Sequence, residues 1–266
     1  MMVPFGYRRP ESLEAALAAL RSLPQARLLA GGQSLLSAMK LGLDAPSDLI
    51  DLRAIPSLHE LRVHDGRIHL GAMVEHHRVA SSAGIVAGLP GLGALAAGIG
   101  DAQIRRRGTI GGSLANNDPA ACWPAALLAL NARVQTDRRV IAADAFVGPL
   151  FSTALMEDEI ITSVSFPVRV PFVYLKVEQP ASRFALIGLA MARLPEGVRV
   201  AVTGVADRAM RLPAMEAALD RRFEPSAVPG SLLEAHAFTT DLHAGADYRR
   251  HLCVHLARRA VAALGR

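Results

Sequence analysis

The chain has 266 residues, 51% of them hydrophobic and 20% charged, which excludes a disordered or coiled-coil protein and leaves room for one large folded unit or two smaller ones. The formal net charge is +5, but only IRRR at 104–107 forms a basic cluster and aromatics are 5% of the chain. The basic stripe with interleaved aromatics of a nucleic-acid binder is therefore missing, and a solvated basic surface with one local anion site is the expectation. Cys122 and Cys253 are the only cysteines, too few for a disulfide framework or for an iron–sulfur cluster ligated by this chain alone. No apolar run reaches the ~18 residues of a membrane span, and MMVPFGYRRP lacks the regions of a secretory signal, so the expected location is the cytoplasm.

Apolar positions Leu13, Ala16, Leu17, Leu20 and Leu23 recur at helical spacing behind Ser12, a suitable N-cap, and predict a surface helix over 11–23. ARLLA at 26–30 reads as a short buried strand that Gly31-Gly32 breaks, after which 34–40 starts a helix. Strand 47–52 comes next, then a hairpin in 61–73 turning at Asp65-Gly66. Helical patterns at 75–82 and 90–99 precede a turn-rich middle, which ends in a buried helix at 123–130. Strands are expected within 134–146 and 158–167.

Pro167 and Pro171 bracket the best boundary in the chain. Beyond it, three antiparallel strands at 172–177, 185–194 and 198–206, the last two joined at Glu196-Gly197, lead into helices near 213–221, 231–237 and 247–264. Strands first and helices after indicate an α+β unit. No internal repeat is evident.

Two glycine pairs, AGGQS at 30–34 and TIGGS at 109–113, are each followed by a helix-like segment. Glycines let backbone N–H groups approach an anion closely, so both fit a phosphate nest, although a lone Gly-Gly is more often an ordinary tight turn. Neither is GxGxxG or GxxxxGK[ST], so the Rossmann and P-loop sites lack their mechanical parts.

AGGQSLLSAMKLGLDAPSDLIDL and IRRRGTIGGSLANNDPAACWPAALLAL closely resemble the FAD-binding medium subunit of the molybdenum hydroxylases, the group that includes xanthine dehydrogenase and aerobic carbon monoxide dehydrogenase. DEIITSVSFP and YLKVEQPASRFALIG are similar to later segments of that family, while the last sixty or so residues carry little signature. The resemblance implies an α+β protein. An FAD domain of the vanillyl-alcohol-oxidase type would occupy 1–170, in two α/β subdomains split near 56, and a smaller C-terminal domain 171–266.

It also implies a site. Leu28, Leu29, Ala30, Gly31, Gly32, Gln33, Ser34 and Leu35 would wrap the FAD pyrophosphate, with Ser34 donating its hydroxyl. Thr109, Ile110, Gly111, Gly112 and Ser113 would approach from the other side, and Asn116 and Asp118 would bond the ribityl or phosphate region. Cys122 stands where the family reaches toward the ribityl chain, Ile161 would lie against the isoalloxazine ring, and Lys176 near its polar edge. Two departures are Gln33, where many relatives have histidine, and Cys122, where many have aspartate; a thiol is a poor acceptor.

The function so implied is an electron-transferring FAD subunit of a three-component molybdenum hydroxylase. A large subunit would carry molybdopterin and a small one two [2Fe–2S] clusters, and electrons would leave to an external acceptor. The alternative is a stand-alone FAD-dependent oxidase or reductase, which would need its own base, and 207–266 offers none. A non-enzymatic module with merely structural glycine turns is a third reading. The pairs His76-His77 and His251/His255 lack acidic or cysteine partners at ligand spacing and read as surface histidines, not metal ligands. No catalytic constellation of Ser-His-Asp or Cys-His type is legible, so the expected chemistry is that of a cofactor site.

Overall fold

The computed structural model describes residues 3–234 and 236–265. The chain opens with a parallel three-stranded sheet made of β1 (Gly6–Arg8), β2 (Arg27–Leu29) and β3 (Asp48–Asp51), with β3 in the middle. Helix α1 (Leu13–Ser22) starts where Ser12 accepts a hydrogen bond from the Ala15 N–H at 3.1 Å. Its inner stripe, Ala16 and Leu20, is buried in a small core with Ile50, Leu52 and Ile55. Helix α2 (Leu35–Lys40) follows β2 after the first glycine pair.

A second sheet is antiparallel, ordered β4-β5-β8-β6-β7, from β4 (Leu61–His64), β5 (Arg67–Gly71), β6 (Arg133–Thr136), β7 (Val140–Ala142) and β8 (Ile161–Pro167). Asp65 and Gly66 both take positive φ (49° and 69°), the conformation a two-residue hairpin needs. Between β5 and β6 run α3 (His76–Ser81), α4 (Ala83–Gly88), α5 (Pro90–Ala97), α6 (Ala102–Arg107), α7 (Ile110–Asn116) and α8 (Cys122–Ala129). Every residue of α8 is buried, as its unbroken apolar sequence predicts.

The third sheet, β12-β11-β10-β9, is antiparallel and built from β9 (Phe172–Glu178), β10 (Ala185–Leu194), β11 (Gly197–Thr203) and β12 (Met210–Arg211). Both faces of β10 are covered. Ala190 and Ala192 belong to the core around α8, whereas Ile187, Leu189 and Met191 pack in a second core with α10 (Pro213–Arg221) and α11 (Ala246–Leu264). The segment before α8 is gripped from this sheet: the Gly204 N–H donates to Pro119 O at 2.7 Å, the Ala185 N–H to Ala120 O at 3.2 Å, and the Thr203 hydroxyl to Ala121 O at 2.9 Å.

Four expectations are corrected. The turn-rich middle is helical, and Gly111 and Gly112 lie inside the first turn of α7, because Thr109 caps the helix and the chain there is laid directly on 72–74. Residues 143–146 form the short helix α9 (Ala143–Phe146), where the sequence suggests strand. The hairpin joining β10 to β11 turns at Pro195-Glu196, since Leu194 pairs with Gly197. The helix expected over 231–237 is a single 3-10 turn at Gly230–Leu233, and position 235 lies outside the described residues.

Candidate FAD site

The first glycine turn leaves the edge strand β2 and enters α2. Gly32 sits at φ 75°, a region that costs most other residues free energy, and the chain reverses there. The backbone N–H groups of Gly31, Gly32, Gln33, Ser34 and Leu35 find no acceptor among the described residues; the turn's first internal bond is Leu36 N–H to Gly32 O at 3.2 Å. Five successive amides without partners make a stretch of positive potential suited to an anion. Ser34 leaves its hydroxyl uncommitted to the helix it precedes, and the Gln33 side chain folds back on Gly31 O at 3.3 Å. Leu29 is buried, while Leu28, Ala30 and Leu35 are half-buried beneath the turn.

The second pair is built differently. The Ile110 N–H donates to Val74 O at 3.1 Å and the Gly111 N–H to Ala72 O at 2.9 Å. Thr109 takes up the next two: its hydroxyl accepts from Gly112 N–H at 3.2 Å and its carbonyl from Ser113 N–H at 3.0 Å. A Cβ on Gly111 would stand 2.6 Å from the Ala72 Cβ and 2.7 Å from its carbonyl oxygen, so glycine is required for backbone packing. This segment contributes a wall, not a nest.

The two segments touch. A Cβ on Gly31 would lie 2.1 Å from Arg107 O, and one on Gly112 would lie 3.2 Å from the Ala30 Cβ. Of the arginine cluster, Arg105 is structural, donating to Ile99 O and Gly100 O at 3.0 and 2.9 Å, while Arg106 and Arg107 are exposed beside the seam. Asn116 is half-buried at the end of α7, and Asp118 just beyond accepts from Ala120 N–H at 2.8 Å, with burial raising its pKa.

Cys122 and Lys176 meet around Tyr174. The thiol is buried and its pKa raised by that burial, and the Tyr174 hydroxyl beside it is fully enclosed against the thiol, with a raised pKa from the same cause. Lys176 Nζ donates to Gly98 O and Arg183 O, both at 2.8 Å, and stands 3.4 Å from Glu178. Ile161, first in β8, is packed in the core with Ile110, Leu114 and Trp123. The two turns thus touch, Asn116 and Asp118 follow the second along the chain, and Cys122 with Lys176 surrounds Tyr174.

Two residues have no role in the sequence expectations, and a third has the wrong one. Asn117, left-handed at φ 42°, donates its amide to Gly148 O and Ser152 O at 3.1 and 2.6 Å and ties the 148–152 loop to the end of α7. Tyr174 carries no motif at all. His76 is buried, which corrects its assignment as a surface histidine: Trp123 Nε1 donates to its Nδ1 at 3.2 Å. A lone tryptophan on a wholly apolar helix needs an acceptor for its N–H, and that was the available signal. His251 and His255 are exposed as expected, and no group of three potential metal ligands occurs among the described residues. No helix among them is long and apolar enough to cross a membrane.

Residues 3–169 match the family described as the FAD binding domain in molybdopterin dehydrogenase. The chain belongs to that family. It is an FAD-binding medium subunit of the molybdenum hydroxylase type, an oxidoreductase subunit whose cofactor is FAD. It is 35% identical to the nicotine 6-hydroxylase medium subunit of Paenarthrobacter nicotinovorans, covering 97% of this chain and 96% of that one. It also superposes on a carbon monoxide dehydrogenase chain from Hydrogenophaga pseudoflava with a TM-score of 0.94 and 34% identity, over 100% of this chain and 98% of that one. Quinoline 2-oxidoreductase from Pseudomonas putida 86 matches at a TM-score of 0.92 and 27% identity, over 99% and 98%.

Proposed function

We propose that the chain is the electron-transferring medium subunit of a molybdenum hydroxylase complex, with FAD held between its two glycine segments. The observation that carries this is the run of five unaccepted amides, Gly31 to Leu35, facing a wall whose own amides are all used. The amides and the Ser34 hydroxyl would bind the pyrophosphate, with Gly112 and Ser113 lining the opposite side. Asn116 and Asp118 are read as ribityl or phosphate contacts. Cys122 is read as facing the ribityl chain, Ile161 the isoalloxazine ring and Lys176 its polar edge; Lys176, fixed by two carbonyls, would supply positive charge by position and without proton transfer. When bound, FAD supplies one- and two-electron redox chemistry, and the chain's part is to hold it and set its electrostatics.

On this reading 1–170 is the FAD domain, in two subdomains divided near 56, and 171–266 the C-terminal domain; three separate sheets and the family match to residues 3–169 support it. Relatives named as medium subunits or medium chains favour an assembly with partners, which we assign as an iron–sulfur small subunit and a molybdopterin large subunit. Two unpaired, buried cysteines agree with a cytoplasmic complex.

The test is the visible spectrum of the purified full chain and its reconstitution with FAD, followed by co-purification of partners. A flavin spectrum, co-purifying polypeptides that carry iron–sulfur and molybdenum, and no substrate turnover by the chain alone are expected. A colourless chain that takes up no FAD would overturn the proposal.

A further inference from the structure

His76 sits where three elements meet. Its backbone N–H donates to Gly108 O at 3.0 Å, and its ring lies so close to the Gly108 α-carbon that a Cβ there would stand 2.8 Å from Nε2. On the other side of the ring, Nδ1 accepts the Trp123 indole N–H, the ring centroids being 5.9 Å apart. Burial, aided by Arg105, pushes the imidazole pKa down to about 4, so it is neutral and its Nδ1 lone pair is free to accept. Gly108 directly follows Arg107, whose carbonyl seats Gly31. A rigid line therefore runs from α8 through Trp123, His76 and Gly108 to the first glycine turn.

We propose that His76, held by Trp123, is a positioning residue for the cofactor: it presses the 107–109 backbone against the first glycine turn and so keeps that turn's amides converged on the FAD pyrophosphate. The inference rests on the reading that the first turn holds this group. Neither His76 nor Trp123 contacts the cofactor in this account; both act through Gly108 and Arg107.

The test titrates the full-length apoprotein with FAD, following flavin fluorescence, for the wild type and four variants. His76→Phe keeps the ring's bulk but removes the acceptor, and should weaken FAD binding about tenfold. The emission of Trp123, the only tryptophan, should shift in the FAD-free chain of the same variant, because its N–H has lost its partner. His76→Asn keeps an acceptor near the position of Nδ1 but has no atom where Nε2 lies against Gly108, and should also weaken FAD binding about tenfold. A merely structural role would lower the melting temperature of both variants while leaving their FAD affinities unchanged.

Wild-type affinity in either His76→Phe or His76→Asn overturns the inference. If His76→Phe does not fold, Trp123→Phe decides: a severalfold loss with an unchanged circular dichroism spectrum is expected, and unchanged affinity overturns it. Gly32→Ala separates this inference from the reading beneath it. If that variant binds FAD weakly while His76→Phe does not, the positioning role alone falls. If Gly32→Ala binds as wild type does, the reading of the first turn falls as well.

Discussion

The two glycine pairs look alike in the sequence and are used in opposite ways. At Gly31-Gly32 the backbone turns away from its own chain and leaves five N–H groups unsatisfied. At Gly111-Gly112 it lies on 72–74 and inside a helix, with every nearby N–H engaged. The first pair gives a row of unpaired donors; the second gives close approach between two backbones. A glycine pair thus signals only that side chains must be absent. Whether a ligand or the protein itself fills the space depends on long-range contacts that the pair does not encode.

The contrast can be broken most forcefully at Gly111. Gly111→Val drives carbon atoms into the Ala72 backbone, an overpacking cost of about 3 kcal/mol or more, and should lower the apoprotein's melting temperature by about 10 °C or prevent folding. Gly32→Ala should cost about 1 kcal/mol for the positive φ, moving the same melt by only a few degrees while FAD affinity falls about tenfold. Thermal melts of the two apoproteins side by side check this; equal melting temperatures would show that the pairs are not differently used.

A pH series addresses the support of the second segment alone. His76 has a folded pKa depressed from 6.5 to about 4, so below pH 6.5 the unfolded chain binds a proton that the folded chain refuses. Its contribution is complete above pH 6.5 and is lost as the pH falls toward 4. The melting temperature should therefore drop by several degrees across that window. In His76→Asn the slope should flatten. The smallest effect belongs to Gln33, which is exposed and bonds only within its own turn: Gln33→His should change FAD affinity by no more than about threefold in the same fluorescence titration.

Local signals made much of the fold legible. The apolar run of α8, the long apolar run of β10, the Asp65-Gly66 hairpin and the Ser12 cap are all written in consecutive residues, and the structure follows them. The resemblance in the two glycine segments pointed to the family that residues 3–169 match. What was not legible depends on partners distant in sequence. His76 lies next to His77 in a segment with no pattern that marks one of the two for burial; only the arrival of Trp123, 47 residues later, does so. Likewise, α7 could not be told from a loop, because its two glycines argue against a helix and the reasons for them lie outside it: Ala72 for Gly111, Ala30 and the Thr109 cap for Gly112.

The grip of β10 and β11 on the segment before α8 has a practical consequence. Pro167 and Pro171 suggest a place to divide the chain, yet the carbonyls of Pro119, Ala120 and Ala121 take their donors from Gly204, Ala185 and Thr203. A fragment ending near 170 would lose all those donors and bare the face of α8 that Ala190, Ala192 and Ala201 cover. The two pieces that the sequence separates so readily are, in the folded molecule, a lock and its bolt: neither should be expected to survive expression without the other.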